Sequence, residues 1–344
     1  MNQLMKEIKS LHTFSTQAYC QDCLFLERLD DLEQLSKYQQ LQQPWVVIGE
    51  GSNLLFVEDF QGLLVCNRLK GRRLIELPDA WAVEAAAGEN WHELVLWLVE
   101  KSIGGLENLA LIPGTVGAAP VQNIGAYGAE FRQFCEWVEV WDTKACVFKR
   151  LSAEQCGFGY RDSCFKHNEM RRNIVTRVGL RLMKNWQPRL DYGALDKLLG
   201  DDISPLSIFN MVCKIRSSKL PNPELTGNAG SFFKNPIVSE QWVKMYQAQY
   251  EKIPIYPLSD TCFKVAAGWM IEQAGLKGFR LKGAGVDAKQ ALVLINASGN
   301  ATGKEILELA KYVRQEVKCC FDVLLEPEVL LIGANGILEP QEVF

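Results

Sequence analysis

The residues from Ile112 to Ala129 read IPGTVGAAPVQNIGAYGA, with no Lys, Arg, Asp, Glu or His among them. Four glycines and several alanines leave the backbone open, so that a large ligand could touch it directly. Successive backbone N–H groups can hold a phosphate without help from Lys or Arg. This stretch, the Gly-rich loop, is therefore a candidate seat for a nucleotide cofactor. A set of buried structural turns is the alternative.

A second glycine-containing turn, Gly49-Glu50-Gly51-Ser52-Asn53, follows the apolar run Trp45–Ile48. It is not a Rossmann fingerprint, because Leu54 stands where the third glycine belongs. Alone the turn is a weak signal. Together with the Gly-rich loop it strengthens the prediction of a nucleotide cofactor.

Three other segments carry side chains able to do chemistry. Arg161 lies in GFGYRDS and could form a bidentate contact with a carboxylate or a phosphate, a surface ion pair being the alternative. Ser231 lies in NAGSFFKNP, which is not a hydrolase nucleophile elbow, so it is either a proton donor or a turn residue. Glu326 and Glu328 flank Pro327, and one of them could face a site while the other faces solvent.

Composition narrows the class of protein. The 344 residues are 48% hydrophobic and 23% charged with a net charge of −4, which predicts two or three soluble domains and makes nucleic acid a poor partner. The first residues contain no apolar run of signal-peptide length, so neither a signal peptide nor a transmembrane segment is expected. Eleven cysteines at irregular spacings indicate reduced thiols and a cytoplasmic location. Cys20 and Cys23 have metal-ligand spacing but lack a second pair, so no metal site is predicted, and their role stays open.

Hydrophobic periodicity predicts several elements. Strands are expected at 45–48, 63–66, 137–141, 174–182, 291–296 and 323–332. Asn90 with Glu93, and Thr302 with Glu305, have the spacing of helix N-terminal caps. A helix is also expected near residues 266–274, ending at Gly275.

The motifs GEGSN, IPGTVGAAPVQNIGAYG, GYRDS, SSKLP, GNAGSFFKNP and LEPEV occur in this order over nearly the whole chain. In this combination they closely resemble the UDP-N-acetylenolpyruvoylglucosamine reductases, flavoenzymes of bacterial cell-wall precursor synthesis. The resemblance implies an α+β fold of three domains, a vanillyl-alcohol-oxidase/PCMH-type FAD-binding fold plus a substrate-binding domain. The expected bounds are 1–70 for the first FAD-binding subdomain (with 329–344 packing on it), 71–218 for the second, and 219–328 for the substrate domain.

The resemblance also assigns site residues by motif. The catalytic residues would be Arg161, Ser231 and Glu328. Those expected to bind FAD are Gly49, Glu50, Gly51, Ser52, Asn53, Ile112, Pro113, Gly114, Thr115, Gly117, Ala118, Asn123, Gly125, Ala126 and Tyr127. Those expected to bind substrate are Tyr160, Tyr192, Lys219, Asn235 and Gln290, with Tyr192 in a segment similar to the type I insertion. Ala118-Ala119 stands where some relatives have serines, so a hydroxyl contact to the FAD phosphate is absent here.

The implied reaction is reduction of the enolpyruvyl group of UDP-N-acetylglucosamine enolpyruvate to UDP-N-acetylmuramate. NADPH reduces noncovalently bound FAD, and flavin N5 delivers hydride to the distal vinyl carbon. Ser231 would protonate the other vinyl carbon, while Arg161 and Glu328 polarise the carboxylate, which requires a protonated or hydrogen-bonding Glu328. A monomer is expected. Alternatives are another FAD-dependent oxidase or dehydrogenase on the same scaffold, and a nucleotide-sugar binding protein without catalysis.

Overall fold

The computed structural model describes residues 5–40, 42–191, 193–198, 203–250 and 252–344. The chain forms two units, each built from segments that are distant in the sequence. Unit 1 comprises Met1–Asp22, Gly51–Gly62 and Lys219–Phe344, and unit 2 comprises Cys23–Glu50 and Leu63–Ser218. The division into three domains with bounds at 70, 218 and 328 stays a prediction.

Unit 2 contains a five-stranded antiparallel sheet. In spatial order its strands are Val147–Ser152, Cys135–Asp142, Ile174–Met183, Ala80–Ala86 and Arg72–Glu76. The two strands expected at 137–141 and 174–182 are confirmed. Val138 on one strand lies opposite Val178 on the other, and both are fully buried in the core of the unit.

A smaller parallel pair in unit 2 precedes the first glycine-containing turn. The predicted strand Trp45–Ile48 runs parallel to residues 63–66 of the strand Phe60–Asn67, with Val46 opposite Leu64. Strands Gly125–Ala126 and Ala129–Glu130 form a short hairpin inside and just beyond the Gly-rich loop.

The helix expected after Asn90 is confirmed. The described α-helices of unit 2 are Leu32–Gln40, Trp91–Val99 and Pro205–Lys219, whose last residue falls in unit 1. The Asn90 side chain accepts a hydrogen bond from the Glu93 N–H at 2.9 Å, which satisfies one of the donors exposed at a helix N-terminus. Trp91 and Leu94 face the core with almost no exposed surface.

Unit 1 is a set of small sheets packed with helices. One antiparallel sheet has the order Asn228–Ser231, Val293–Asn296, Ala284–Val286 and Arg280–Leu281; another has the order Ile237–Ser239, Cys262–Val265 and Ile255–Pro257. Lys6–Glu7 pairs with the start of Tyr19–Leu26. The α-helices are Glu240–Gln247, Ala267–Gln273, Gly303–Phe321 and Pro340–Val343. The expected capping box of Thr302 and Glu305 is present.

The strand expected at 323–332 is wrong in its first part. Only Leu330–Gly333 is a strand; it pairs in parallel with Leu54–Phe56 and antiparallel with Gly336–Leu338. Residues 323–329 form no strand; an isolated bridge joins Pro327 to Phe233, with backbone hydrogen bonds at Glu326 and Glu328 on either side of it. Proline lacks an N–H group and cannot continue a ladder, which explains the late start of the strand.

Two negative findings apply to the described part of the chain. No helix there has both the length and the apolar character that a membrane span requires. Nor is there a cluster of three or more His, Cys, Asp or Glu side chains able to hold a metal ion. Cys20 is buried and Cys23 is partly buried.

His12 is a buried titratable group of unit 1. It is 3% exposed, its ring packs edge-on against Phe56 at 5.3 Å between centroids, and its Nε2 lies 3.2 Å from the Thr16 carbonyl oxygen. Burial lowers the pKa of His12 from 6.5 to about 4, and the hydrogen bond to Thr16 opposes this only in part. The folded protein therefore holds His12 neutral at pH values where the unfolded chain would protonate it.

We expect the free energy of unfolding to fall by about 3 kcal/mol from this group alone as the pH drops from 6.5 to about 4. The sign follows from the lowered pKa: the unfolded state binds the proton first, so acid favours unfolding. His12→Asn should remove this part of the pH dependence in urea denaturation, whereas His167→Asn, at an exposed histidine, should keep it. An unchanged pH slope in His12→Asn would contradict the assignment.

Candidate active site

The first half of the Gly-rich loop is seated on the N-terminus of the helix Trp91–Val99. The Trp91 N–H donates to the Gly114 carbonyl at 3.0 Å, and the Val116 N–H donates to the Glu89 carbonyl at 2.8 Å. The Gly117 N–H donates to the Ala87 carbonyl at 2.8 Å. A Cβ atom at Gly117 would lie 2.5 Å from the Ala87 Cβ, so a side chain at this position cannot be accommodated.

The turn Gly49-Glu50 lies against the same segment. A Cβ at Gly49 would overlap the Thr115 hydroxyl. Glu50 Oε1 accepts a hydrogen bond from Asn90 Nδ2 at 2.8 Å, which links the turn to the helix cap. The structure thus brings Gly49, Glu50, Gly114, Thr115 and Gly117 together, as five of the predicted FAD-binding residues require.

The second half of the Gly-rich loop meets the segment around Arg161. Asn123 Nδ2 donates to the Gly159 carbonyl at 2.8 Å, and Ser163 Oγ donates to the Val121 carbonyl at 2.7 Å. Arg161 Nη2 donates to the Gly125 carbonyl at 2.9 Å. Arg161 is therefore oriented in part by the loop itself.

Arg161 occupies an unusual backbone conformation. Its φ of 53° lies in the left-handed region, which is unfavourable for a residue with a side chain. A bridge between Gly159 and Asp162 closes the turn, and Lys166 Nζ donates to the Arg161 carbonyl at 2.8 Å. Such local strain, held by surrounding bonds, is typical of functional sites.

Tyr127 and Gly128 form the tip of the hairpin within the Gly-rich loop. Both have positive φ, of 47° and 79°. Asn108 Nδ2 donates to the Tyr127 carbonyl at 2.8 Å. Burial raises the pKa of the Tyr127 phenol, and the nearby Arg216 charge opposes that shift. Tyr127 therefore stays a neutral hydrogen-bonding group at physiological pH.

Arg216 is a charged residue that the sequence motifs do not single out. It is partly buried, its Nε donates to the Leu111 carbonyl at 3.2 Å, and burial lowers its pKa while the Arg161 charge adds to the lowering. Within the described ranges, no carboxylate lies in ion-pair distance of Arg216. A buried positive charge is costly when it lacks an anion, so this site suits a negatively charged ligand such as the FAD diphosphate. The residues of unit 2 therefore fit the cofactor.

Ser231 and Glu328 lie on adjacent chain segments in unit 1. Ser231 ends the strand Asn228–Ser231, and the next residue, Phe232, accepts a hydrogen bond from the Glu328 N–H at 2.8 Å. Phe232 is fully buried. Asn53 Nδ2 donates to the Glu328 carbonyl at 3.1 Å, so the predicted Asn53 lies beside the same segment.

Of the predicted substrate-binding residues, Asn235 and Gln290 lie near the helix Ala267–Gln273, whereas Lys219 is exposed. Asn235 Oδ1 accepts from the Ala267 N–H at 2.9 Å, and Gln290 lies against the same helix, its Oε1 being 3.0 Å from where a Gly268 Cβ would stand. Lys219 is exposed, and no hydrogen bond joins it to Ser231 in the described part of the chain. Tyr192 lies outside the described residues.

The remaining predicted site residues differ in backbone conformation and in exposure. Gly51 has a φ of 62° and accepts at its carbonyl from the Thr13 N–H at 3.1 Å. Partly buried positions are Ser52, Ile112, Ala126 and Tyr160, and exposed ones are Pro113 and Ala118. Ala118 is thus accessible at the position where some relatives would present a hydroxyl.

Comparison with known proteins identifies the family. The profile described as "UDP-N-acetylenolpyruvoylglucosamine reductase, C-terminal domain" matches residues 222–332, and the profile described as "FAD binding domain" matches residues 24–149. The UDP-N-acetylenolpyruvoylglucosamine reductase of Photorhabdus laumondii is 48% identical over 98% of this chain and 99% of its own length. The chain belongs to the UDP-N-acetylenolpyruvoylglucosamine reductase family. The enzyme of that name from Escherichia coli K12 is 46% identical over 96% of both chains.

A solved structure of UDP-N-acetylenolpyruvylglucosamine reductase from Thermus caldophilus covers 95% of this chain and 99% of its own, with a TM-score of 0.64 and 24% identity. It shares the fold. The predicted α+β flavoenzyme fold is thereby confirmed, and so is FAD as cofactor with NADPH as the hydride donor of this reductase family. Both the turn at Gly49 and the Gly-rich loop lie within the FAD-binding match.

Gly49→Ala should weaken FAD binding by about tenfold or more, because the added methyl would push Thr115, and with it this part of the Gly-rich loop, out of position. Removing the obstructing atoms in the double variant Gly49→Ala/Thr115→Ala should recover most of the affinity. Titration of the apoprotein with FAD, followed by flavin fluorescence, measures both. Equal affinities of the single and double variants would refute this packing argument, and Thr115→Ala alone is the control.

Proposed function

We propose that this protein reduces the enolpyruvyl group of UDP-N-acetylglucosamine enolpyruvate with NADPH, giving UDP-N-acetylmuramate for peptidoglycan synthesis. Family membership supports the reaction. The observation that carries the residue assignment is the hydrogen bond between the Glu328 N–H and the Phe232 carbonyl, because it sets Ser231 and Glu328 on adjacent chain segments. The proposal includes a cytoplasmic monomer.

The Gly-rich loop and the turn Gly49-Glu50 would hold FAD, which would supply hydride equivalents drawn from NADPH to the distal vinyl carbon of the substrate. The chain's own residues handle charge and protons. As hydride arrives, negative charge develops on the other vinyl carbon and its carboxylate. Arg161 would stabilise that carboxylate, since a guanidinium matches it geometrically and the bond to Gly125 already orients it.

Ser231 would donate its hydroxyl proton to the carbon that carries the charge. A serine hydroxyl is a weak acid, so the step needs the preceding stabilisation of the carboxylate to lower its barrier. Gly230, with a φ of 69°, lies at an irregularity of the strand just before the serine, a backbone conformation that glycine adopts without strain. Glu328, itself protonated, would hydrogen-bond to the substrate carboxylate. The proton is needed because two bare anions repel each other.

Ser231→Ala should keep reduction of FAD by NADPH and slow its reoxidation by substrate by at least about a hundredfold, since only the second half-reaction needs this proton. Stopped-flow absorbance of the flavin separates the two half-reactions. Ser231→Cys retains an acidic hydrogen and should restore part of the lost rate. Equal losses in both half-reactions would reject Ser231 as the proton donor.

Glu328→Ala should likewise slow reoxidation by substrate, by about tenfold or more. Glu326 provides a matched control two residues away, because its side chain is 73% exposed and forms an ion pair with Lys234. Glu326→Ala should therefore leave both half-reactions unchanged. A similar loss in the two variants would assign the effect to the fold of this segment and not to the chemistry of Glu328.

The overall reaction is tested by the absorption spectrum of the purified protein and by NADPH oxidation with and without UDP-N-acetylglucosamine enolpyruvate. A yellow protein that releases its flavin on acid precipitation and oxidises NADPH only with this substrate supports the proposal. NADPH oxidation that needs only oxygen would favour an oxidase on the same scaffold. A colourless protein that binds no added FAD would overturn the proposal.

A further inference from the structure

Leu111 stands directly before the Gly-rich loop and has a left-handed backbone. Its φ is 57°, a conformation that costs a non-glycine residue roughly 1–2 kcal/mol. The peptide groups on either side of it set the direction in which Ile112, Pro113 and Gly114 leave the preceding 3₁₀ turn, Glu107–Leu109. A residue in this conformation persists only when its surroundings hold it there.

The N–H group of Leu111 is held by His92. It donates to His92 Nδ1 at 3.0 Å, and the imidazole is stacked on the Phe209 ring with centroids 5.2 Å apart and planes inclined by 6°. A ring nitrogen that accepts a hydrogen bond carries no proton. His92 must therefore be neutral, with its proton on Nε2.

The carbonyl group of Leu111 is held by Arg216 through its Nε at 3.2 Å. His92 lies on the helix Trp91–Val99 and Arg216 on the helix Pro205–Lys219. Side chains from two helices thus bind both polar groups of one residue. Neither contact is made by a neighbour in the sequence, so the conformation of Leu111 depends on tertiary structure.

We propose that His92 and Arg216 are positioning residues for FAD binding, which hold Leu111 in its left-handed conformation and thereby fix the start of the Gly-rich loop, and that the neutral state of His92 makes this control pH-dependent. The inference rests on the proposed function, since it concerns the binding of the same cofactor. Neither residue is assigned here to the reacting atoms.

The direction of the pH effect follows from the hydrogen bond. Burial lowers the pKa of His92 below 6.5; the Glu93 carboxylate on the same helix opposes this, and the Arg216 charge on the facing helix reinforces it. Phe209, which stacks on the ring, and Leu111, which donates to it, carry no charge. At neutral pH the clamp, which is the pair of hydrogen bonds from His92 and Arg216 to the polar groups of Leu111, is intact. As the pH falls from 6.5 towards the lowered pKa, His92 gains a proton at Nδ1 and releases the Leu111 N–H.

Two His92 variants distinguish the loss of the hydrogen-bond acceptor from the protonation of the imidazole ring. His92→Asn keeps an acceptor oxygen near the position of Nδ1 but cannot be protonated, and His92→Leu removes the acceptor. At neutral pH we expect His92→Leu to raise the Kd for FAD by about tenfold, the effect of one lost hydrogen bond to a buried N–H, and His92→Asn to stay within about threefold of the parent protein. On acidification, the parent should lose affinity and His92→Asn should not.

Arg216 is tested by Arg216→Met, which removes the donor, against Lys214→Met at an exposed position of the same helix. Only Arg216→Met should weaken FAD binding. Circular dichroism of each apoprotein checks that it is folded, so that a loss of affinity is not caused by unfolding. The loop itself is judged by the His92 variants, because Arg216→Met also removes a positive charge. Retention of the parent's pH dependence in His92→Asn, or of the parent's affinity in His92→Leu, would overturn the inference.

The outcome is distinguishable from failure of the proposed function. If the parent protein binds FAD and turns over the enolpyruvyl substrate while the His92 variants behave like the parent, only the clamp is refuted. If the parent binds FAD but does not reduce that substrate, the proposed function fails, and the clamp is still judged by the FAD titrations.

Discussion

The architecture of the candidate cofactor site depends on how closely two backbone segments approach at Gly117 and Ala87. The hydrogen bond between them is 2.8 Å long, and no side chain larger than hydrogen fits at Gly117. Ala87 follows the strand Ala80–Ala86, so this contact attaches the Gly-rich loop to the end of an inner strand of the five-stranded sheet. The glycine content of the loop is thus explained first by packing. A backbone held this rigidly can then present its own polar groups to a ligand.

A loop without charges needs its electrostatics supplied from outside. Arg161 and Arg216 reach it from two other segments, and each donates one hydrogen bond to a loop-region carbonyl, that of Gly125 or of Leu111. A guanidinium has five N–H donors, so one bond to a carbonyl orients the planar group without exhausting it. The two arginines place positive charge beside the uncharged Gly-rich loop, and their hydrogen bonds restrict its backbone. This suits a cofactor and a substrate that are both anionic.

Local features of the fold could be predicted from the sequence, and features that depend on distant partners could not. The caps at Asn90 and Thr302 are formed by residues three apart, and both were correctly predicted. The strand that begins at Leu330 pairs with residues near position 54, so hydrophobic pattern alone could not show where pairing starts. The motifs predict Arg161, Ser231 and Glu328 as catalytic residues, and that assignment stays a prediction. His92 and Arg216 bind backbone groups 19 and 105 residues away and leave no sequence signature.

Glu326 and Glu328 differ in exposure because of what packs around each of them, although they lie on one short segment. The two acids have the same side chain and are separated by one proline, so composition cannot rank them. Hydrogen bonds from Lys234 N–H to the Glu326 carbonyl and from Glu328 N–H to the Phe232 carbonyl fix the segment on one side. Asn53 fixes it on the other, by donating to the Glu328 carbonyl and accepting from the Leu330 N–H. Because side chains alternate along an extended chain, Glu326 and Glu328 share one side of the segment, and only the second is partly buried. The difference between them is therefore set by what packs over each end of this short segment, and Asn53 contributes to it through backbone contacts that would look purely structural in isolation.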